Sequence, residues 1–236
     1  MRSQIKQKEE VARETLLVVF DLLGEEVDFQ AGQYFWVTLP DVGYDDERGL
    51  RRHITVVTSP NERGVLGFAT RLRDTAFKKT LAELDVGAEV DVEHPKGDFS
   101  LPLETARPYV FIAGGIGITV FRCMLRYIVE EDLSHRVTLV YSNRDRESTA
   151  FFDELEAMDS EHENISVVFV MTDDSEWEGE TRRVDADVLS EHLDGELGDY
   201  VHIAAGPPGL VEAMESALKG AGVPEEQVIV QRFAGY

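Results

Sequence analysis

The chain has 236 residues, 43% hydrophobic and 29% charged, with 46 acidic against 23 basic side chains and a formal charge of -23. This length gives one large domain or two small ones, with enough apolar content for a folded core. So negative a chain makes a poor surface for DNA, RNA or anionic lipid, which excludes nucleic-acid and lipid-surface roles.

The basic residues are mostly arginine, since the only lysines are Lys6, Lys8, Lys78, Lys79, Lys96 and Lys219. Few lysines among many carboxylates match the pattern of salt-accumulating organisms, and a halophilic protein is the expectation. Self-repulsion costs stability in dilute buffer, and at about 1 M salt a screening length of about 3 Å removes most of that cost. A single cysteine, Cys123, excludes an internal disulfide, a CxxC pair and a cluster held by several thiolates of this chain. The histidines, His53, His94, His135, His162, His192 and His202, form no HExxH or paired Cys-His spacing, so no metal site is expected. The N-terminus MRSQIKQKEEVARE carries no apolar run, and no stretch approaches ~18 consecutive apolar residues. A cytoplasmic protein without membrane insertion is the expectation.

In chain order, short apolar or alternating runs predict strands over 14–22, 34–39, 53–58, 65–72 and 89–93, with glycines at the intervening turns. This pattern predicts an antiparallel β-barrel. One helix interrupts it, Thr75 to Leu84, where Phe77, Leu81 and Leu84 recur at helical spacing. Beyond Pro102 the rhythm changes. Strands over 109–113, 137–141, 165–171, 201–205 and 227–231 alternate with helices over 120–130, 150–158 and 210–219, which predicts a doubly wound parallel sheet. The expected domains are residues 1–104 and 105–236.

Two turns in the second half are suited to a pyrophosphate. Tyr109–Ala113 runs into Gly114-Gly115-Ile116-Gly117-Ile118-Thr119 before a helix, and Val201–Ala205 runs into Gly206-Pro207-Pro208-Gly209 before another. Glycines let backbone approach a ligand and a helix N-terminus presents unpaired N–H groups to an anion; alternatively the glycines serve only the turn. In a doubly wound sheet both turns can flank one crevice. Between them Tyr141-Ser142-Asn143-Arg144 ends a strand and offers hydroxyl, amide and guanidinium to a ribose or a 2′-phosphate. In the first half, Arg52 and Thr55 lie on one strand, and Thr75 is placed to cap a helix whose Ala76, Phe77 and Lys78 N–H groups face a second phosphate.

These motifs in this order resemble the ferredoxin-NADP reductase family of flavoprotein oxidoreductases over nearly the whole chain. Ala31-Gly32-Gln33-Tyr34 is similar to the family's first barrel turn, and Arg52-His53-Ile54-Thr55 occupies the place of its Arg-x-Tyr/Phe-Ser/Thr flavin motif. His94-Pro95-Lys96-Gly97-Asp98-Phe99 resembles its Gly-Pro-x-Gly-x-Phe, and Phe151–Leu155 and a C-terminal Phe233-Ala234-Gly235-Tyr236 complete the series. The resemblance implies an FAD-binding barrel followed by an NADP- or NAD-binding α/β domain. It implies that Arg52 holds flavin phosphate with His53 and Ile54 beside it, and that Thr55 acts near the hydride-accepting nitrogen. Thr70, Arg71 and Leu72 would run along the isoalloxazine and ribityl chain, and Ala76, Phe77 and Lys78 would meet the pyrophosphate. Gly114, Gly115, Ile116, Gly117 and Thr119 with Gly206, Pro207 and Pro208 would bracket the nicotinamide half. Ser142, Asn143 and Arg144 would lie by the adenosine ribose, and Tyr236 would stack on the flavin and move aside for nicotinamide.

The implied reaction passes hydride between NAD(P)H and FAD and electrons onward to a protein carrier such as ferredoxin or flavodoxin. Alternatives are the reductase component of an oxygenase or other multicomponent system, and a non-catalytic flavin- or nucleotide-binding regulatory subunit. Departures from the family pattern are Ile54 for an aromatic ring, Ala205 for a cysteine, Lys78 for a small hydroxyl residue, His94 for glycine and Val120 for proline.

Overall fold

The computed structural model describes residues 1–233, and the chain divides into two compact units. Among the described residues the first comprises Met1–Leu101 together with Arg122–Glu130; the second comprises Pro102–Phe121 and residues 131–233.

In the first unit, β1 (Arg2–Ala12), β2 (Thr15–Asp21), β3 (Tyr34–Thr38), β4 (Arg51–Thr55), β5 (Val65–Arg71) and β6 (Glu89–Val92) form one antiparallel sheet in the order β4-β3-β6-β1-β2-β5. Just past β4, Val57 N–H donates to the Gly67 carbonyl of β5 at 2.9 Å, so the two edges meet and the sheet closes. Phe20, Phe35 and Phe68 fill the interior with ring centroids 5.7 to 6.3 Å apart, each ring fully buried. Helix α1 (Ala76–Glu83) adds Phe77 and Leu81 to the same core.

Two elements of the first unit differ from the sequence expectation. Strand β1 has no counterpart in it, because only Ser3 and Ile5 are buried among otherwise polar residues; long pairing with β2 and a short ladder with β6 make it a strand. Strand β4 ends at Thr55 and not at Thr58, since Val56 N–H and Val57 N–H leave the β3 ladder for the carbonyls of Gln33 and Gly67.

The segment Arg122–Glu130 is held by the residues after β4. Arg122 Nη1 donates to the Val57 carbonyl at 2.8 Å and Cys123 Sγ to the Thr58 carbonyl at 3.0 Å. Complete burial pushes the Cys123 thiol up to about 12, which makes it a structural group and not a nucleophile.

In the second unit, β7 (Tyr109–Gly114), β8 (Val137–Asn143), β9 (Ile165–Met171), β10 (Val201–Gly206) and β11 (Val228–Arg232) form an all-parallel sheet in the order β11-β10-β7-β8-β9. Helix α2 (Ile118–Glu130) starts in this unit and belongs to the first from Arg122 on, while α3 (Phe152–Glu161), α4 (Ala186–Glu191) and α5 (Pro208–Gly220) lie wholly within it. The chain winds outward from β7 to β9 and returns to place β10 beside β7, so the order reverses between β7 and β10. Helix α4 is not apparent in the sequence: Asp185 caps it by accepting from Val188 N–H at 2.9 Å, and six residues are too few for a period to show. Among the described residues no helix is long and apolar enough to cross a membrane.

Candidate functional site

A cluster of cations surrounds the first turn of α1. Thr75 caps the helix, its hydroxyl accepting from Lys78 N–H at 3.4 Å, as the sequence suggests. Apolar Phe77 and Leu81 turn one face of α1 into the barrel and carry Lys78 inward with them, only 7% exposed. Lys78 Nζ is buried and has no hydrogen-bond partner among the described residues. Burial first, and then the charges of Arg73, Arg52 and Arg48, lower the Lys78 ammonium to about 8. Arg52 reaches the same place from β4, its guanidinium 5.5 Å from the Phe77 ring centroid. In a chain of charge -23, cations that crowd one another and include a buried lysine without a partner make this place a candidate site for an anion.

One carboxylate already enters this cluster. Asp46, on the connection between β3 and β4, accepts from Ala76 N–H at 2.8 Å, and its other oxygen lies 3.8 Å from Arg52 Nη2. The Ala76 hydrogen bond, the largest cause, holds the Asp46 carboxyl below its ordinary range. The sequence gives no hint of this role, because Asp46 and Ala76 are 30 positions apart and nothing local in Asp45-Asp46-Glu47 singles out one acid.

The other first-unit candidates occupy different environments. His53 is exposed, its ring 5.6 Å from that of Tyr34 and 5.1 Å from that of Trp36. Ile54 is 5% exposed and belongs to the barrel core with Phe35 and Val37. Thr55 is half-buried at the end of β4; Thr70 is buried opposite Leu16, and Arg71 and Leu72 follow it half-buried.

In the second unit the two glycine turns meet at the reversal of strand order. A Cβ on Gly117 would overlap the Ala205 carbonyl and come within 2.8 Å of Gly206 Cα. Gly206, at φ +151°, has room for a Cβ only 3.0 Å from the Gly114 carbonyl oxygen. Close approach of one turn to the other therefore requires glycine at both positions, whatever else binds there. Gly115 and Ile116 are half-buried, Thr119 is buried and donates to the Ile116 carbonyl at 3.1 Å, Pro207 is exposed and Pro208 half-buried at the start of α5.

At the end of β8, Ser142 is half-buried and Arg144 exposed. The Asn143 amide is buried, and neither its oxygen nor its nitrogen has a partner among the described residues. Arg146 lies 4.2 Å over the Phe152 ring and 3.3 Å from Asp153. Tyr236 lies outside the described residues.

Residues 2–101 match the family of oxidoreductase FAD-binding domains and residues 111–216 that of oxidoreductase NAD-binding domains. The chain is 28% identical over 216 residues to the reductase component of phenol 2-monooxygenase from Pseudomonas sp. (strain CF600), covering 89% of this chain and 59% of that one. It is 31% identical over 149 residues to NADH-cytochrome b5 reductase 1 of Mortierella alpina, covering 62% of this chain and 50% of that one. Thus it spans half to three fifths of these relatives' length. The solved structure of the ferredoxin reductase in carbazole 1,9a-dioxygenase superposes with a TM-score of 0.81 at 26% identity, over 99% of this chain and 69% of that one.

Proposed function

Because the chain belongs to the FAD- and NAD-binding oxidoreductases of the ferredoxin-NADP reductase type, with the FAD-binding domain first, we propose that it oxidises NAD(P)H and passes the electrons singly to a protein carrier. Two electrons from one NAD(P)H reduce two equivalents of a one-electron carrier and release one proton. FAD, when bound, supplies the chemistry that accepts a pair and returns it one electron at a time. The observation that carries the assignment of its phosphates is the buried, unpartnered Lys78 ammonium among Arg48, Arg52 and Arg73. In this reading Arg52 and Lys78 hold the pyrophosphate, the Ala76 and Phe77 amides add helix-terminal N–H groups, and Thr55, half-buried at the end of β4, offers its hydroxyl to the flavin edge. The glycine turns Gly114–Thr119 and Gly206–Pro208 hold the dinucleotide by backbone, with Ser142 and Arg144 at its ribose end. Protein catalysis here is positioning more than acid-base chemistry.

Arg146 is engaged by Asp153 and Phe152, which leaves Arg144 alone for a 2′-phosphate, and the Asp145 carboxylate next to it opposes one; NADH is the favoured donor on that count. For the acceptor, a ferredoxin or flavodoxin is the first reading. The oxygenase-reductase reading is favoured by the phenol 2-monooxygenase component, and a single cysteine means that this chain supplies no four-thiolate cluster of its own. The acidic, lysine-poor composition supports a halophilic setting, and a melting temperature that fails to rise from dilute buffer to molar KCl would overturn it.

The test is anaerobic. Purified protein loaded with FAD is mixed with NADH or NADPH while flavin absorbance is followed, and then titrated with ferredoxin, flavodoxin and an artificial one-electron acceptor. Bleaching by NADH followed by acceptor reduction is expected. Absence of bound flavin, or flavin that neither nucleotide bleaches, would overturn the reading. Bleaching without onward transfer to any acceptor would leave a regulatory subunit.

A further inference from the structure

We propose that residues 44–48 form a hinged strap that closes over the FAD phosphate site and holds an internal anion, Asp46, in it until the cofactor displaces it. The proposal rests on the FAD reading above and adds a device to it.

Asp46 uses the groups assigned to the cofactor's phosphates, the Ala76 N–H at 2.8 Å and the Arg52 guanidinium at 3.8 Å. A carboxylate and a phosphate oxygen cannot both accept from Ala76 N–H along its axis, so the two compete for one donor. Arg52 is drawn into the closed arrangement as well: its Nη1 donates to the carbonyls of Arg48 at 2.7 Å, Gly49 at 2.9 Å and Arg51 at 2.9 Å. The residue that would grip phosphate therefore ties down the segment that carries its competitor.

The strap is fastened at the other end of α1 too. The Tyr44 hydroxyl donates to Glu83 at 2.5 Å, and Lys79 Nζ stands 5.7 Å over the Tyr44 ring. Glycines flank the strap, Gly43 at φ +99° and Gly49 at φ +60°, and a Cβ at either would meet nothing within 4 Å. Glycine is thus placed there for backbone freedom and not for lack of space, as hinges are.

The charges explain why a cofactor wins this exchange. Asp46 brings one negative charge and leaves Lys78 Nζ unpartnered, whereas a pyrophosphate brings more charge and more acceptors to the same cations. The closed strap shields the cluster in the cofactor-free protein, and its cost appears as a reduced apparent affinity for FAD.

The test measures FAD binding to flavin-free protein by quenching of flavin fluorescence, in the wild type, Asp46→Ala, Asp46→Asn and Tyr44→Phe, with thermal melting of each apoprotein. Removing the carboxylate removes its competition for the Ala76 N–H and for Arg52, so Asp46→Ala is expected to bind FAD about tenfold tighter or more while its apoprotein melts lower. Asp46→Asn, which keeps shape and loses charge, binds about threefold to tenfold tighter and guards against misfolding of the alanine variant. Tyr44→Phe gains about twofold. Equal or weaker binding by both Asp46 variants would overturn the strap and leave the flavin assignment standing. A wild type that binds no FAD would overturn both.

Discussion

The anion site proposed for the first unit is built from side chains, with Arg52, Lys78, Arg48 and Arg73 crowding the start of α1; the one proposed for the second is built from backbone, two glycine turns so close that neither tolerates a Cβ. The first arrangement concentrates charge at the expense of a buried lysine without a partner, and so it answers to pH, to salt and to a competing carboxylate. The second has no titratable side chain between Gly114 and Thr119 or between Gly206 and Pro208, and its donors are fixed by the strands that precede them. An acidic chain can build an anion site either way. Only the side-chain version needs a means of handling its own charges while no ligand is bound.

The largest expected effect breaks the backbone version. Gly117→Ala puts a methyl into the Ala205 carbonyl and forces the two turns apart. Flavin reduction by NADH should fall about 100-fold or more through misplacement of the nucleotide, while FAD affinity stays within about twofold of the wild type. Stopped-flow reduction and a flavin titration check the pair of results. Comparable loss of both would mean that the turn stabilises the whole chain and is not specific to the nucleotide.

Next in size is Arg52→Ala, which removes a charge-assisted contact from the first unit. It should weaken FAD binding by about 10- to 100-fold and leave the affinity for NAD⁺, measured on the flavin-free protein, unchanged. Lys78→Met is expected to lower FAD affinity by about tenfold while raising the apoprotein melting temperature by about 2–4 °C, the equivalent of ~1 kcal/mol in a domain of this size. A variant that binds cofactor worse yet melts higher is the signature of a charge buried for a ligand. A fall in both would make Lys78 a structural residue.

The same lysine sets a pH dependence whose two signs oppose. Its ammonium is lowered to about 8 in the cofactor-free fold, so between about 8 and its ordinary value near 10.5 the native state has shed a proton that the unfolded chain still holds. Apoprotein stability contributed by this group therefore rises with pH across that window. Cofactor binding prefers the charged form, so FAD affinity is level below about 8 and declines above it, by up to about tenfold per pH unit. Isothermal titrations and urea melts from pH 7 to 10, with Lys78→Met as the flat reference, test both slopes.

How much of this was legible in the sequence follows the same division. The glycine turns are readable because strand, turn and helix are contiguous, and the parallel sheet announces itself through buried runs such as Tyr109–Ala113, all fully buried in β7. The Thr75 cap is equally local and is found where expected. What escapes is whatever depends on distant partners. Strand β1 is polar by itself and becomes a strand through its pairing with β2 and β6; Ile54, matched to a flavin motif by position, is carried into the barrel core by the alternation of β4 against β3. Asp46 becomes significant only when the β3–β4 connection folds onto α1. Periodicity reports burial along one segment, and none of these facts belongs to one segment.

The smallest expected effect sharpens the contrast from the other side. In the second unit His202, fully buried on β10, donates one hydrogen bond from Nε2 to the Leu197 carbonyl at 2.9 Å, while Nδ1 has no partner among the described residues. Burial lowers its imidazole below the ordinary value of 6.5, more than the Leu197 contact raises it. The unfolded chain takes up this proton first as pH falls, so the stability that the neutral ring permits is complete above about 6.5 and is lost progressively below, by at most ~1.4 kcal/mol per pH unit. His202 lies within the strand, four residues before Gly206, and the turns themselves do not titrate. Between pH 7 and 5 the protein should therefore lose unfolding free energy while the fraction that remains folded binds NAD⁺ with constant affinity; His202→Leu should flatten the first curve and leave the second alone. An NAD⁺ affinity that falls in step with His202 protonation would mean that the backbone site is charge-sensitive after all, and the distinction between the two units would fail.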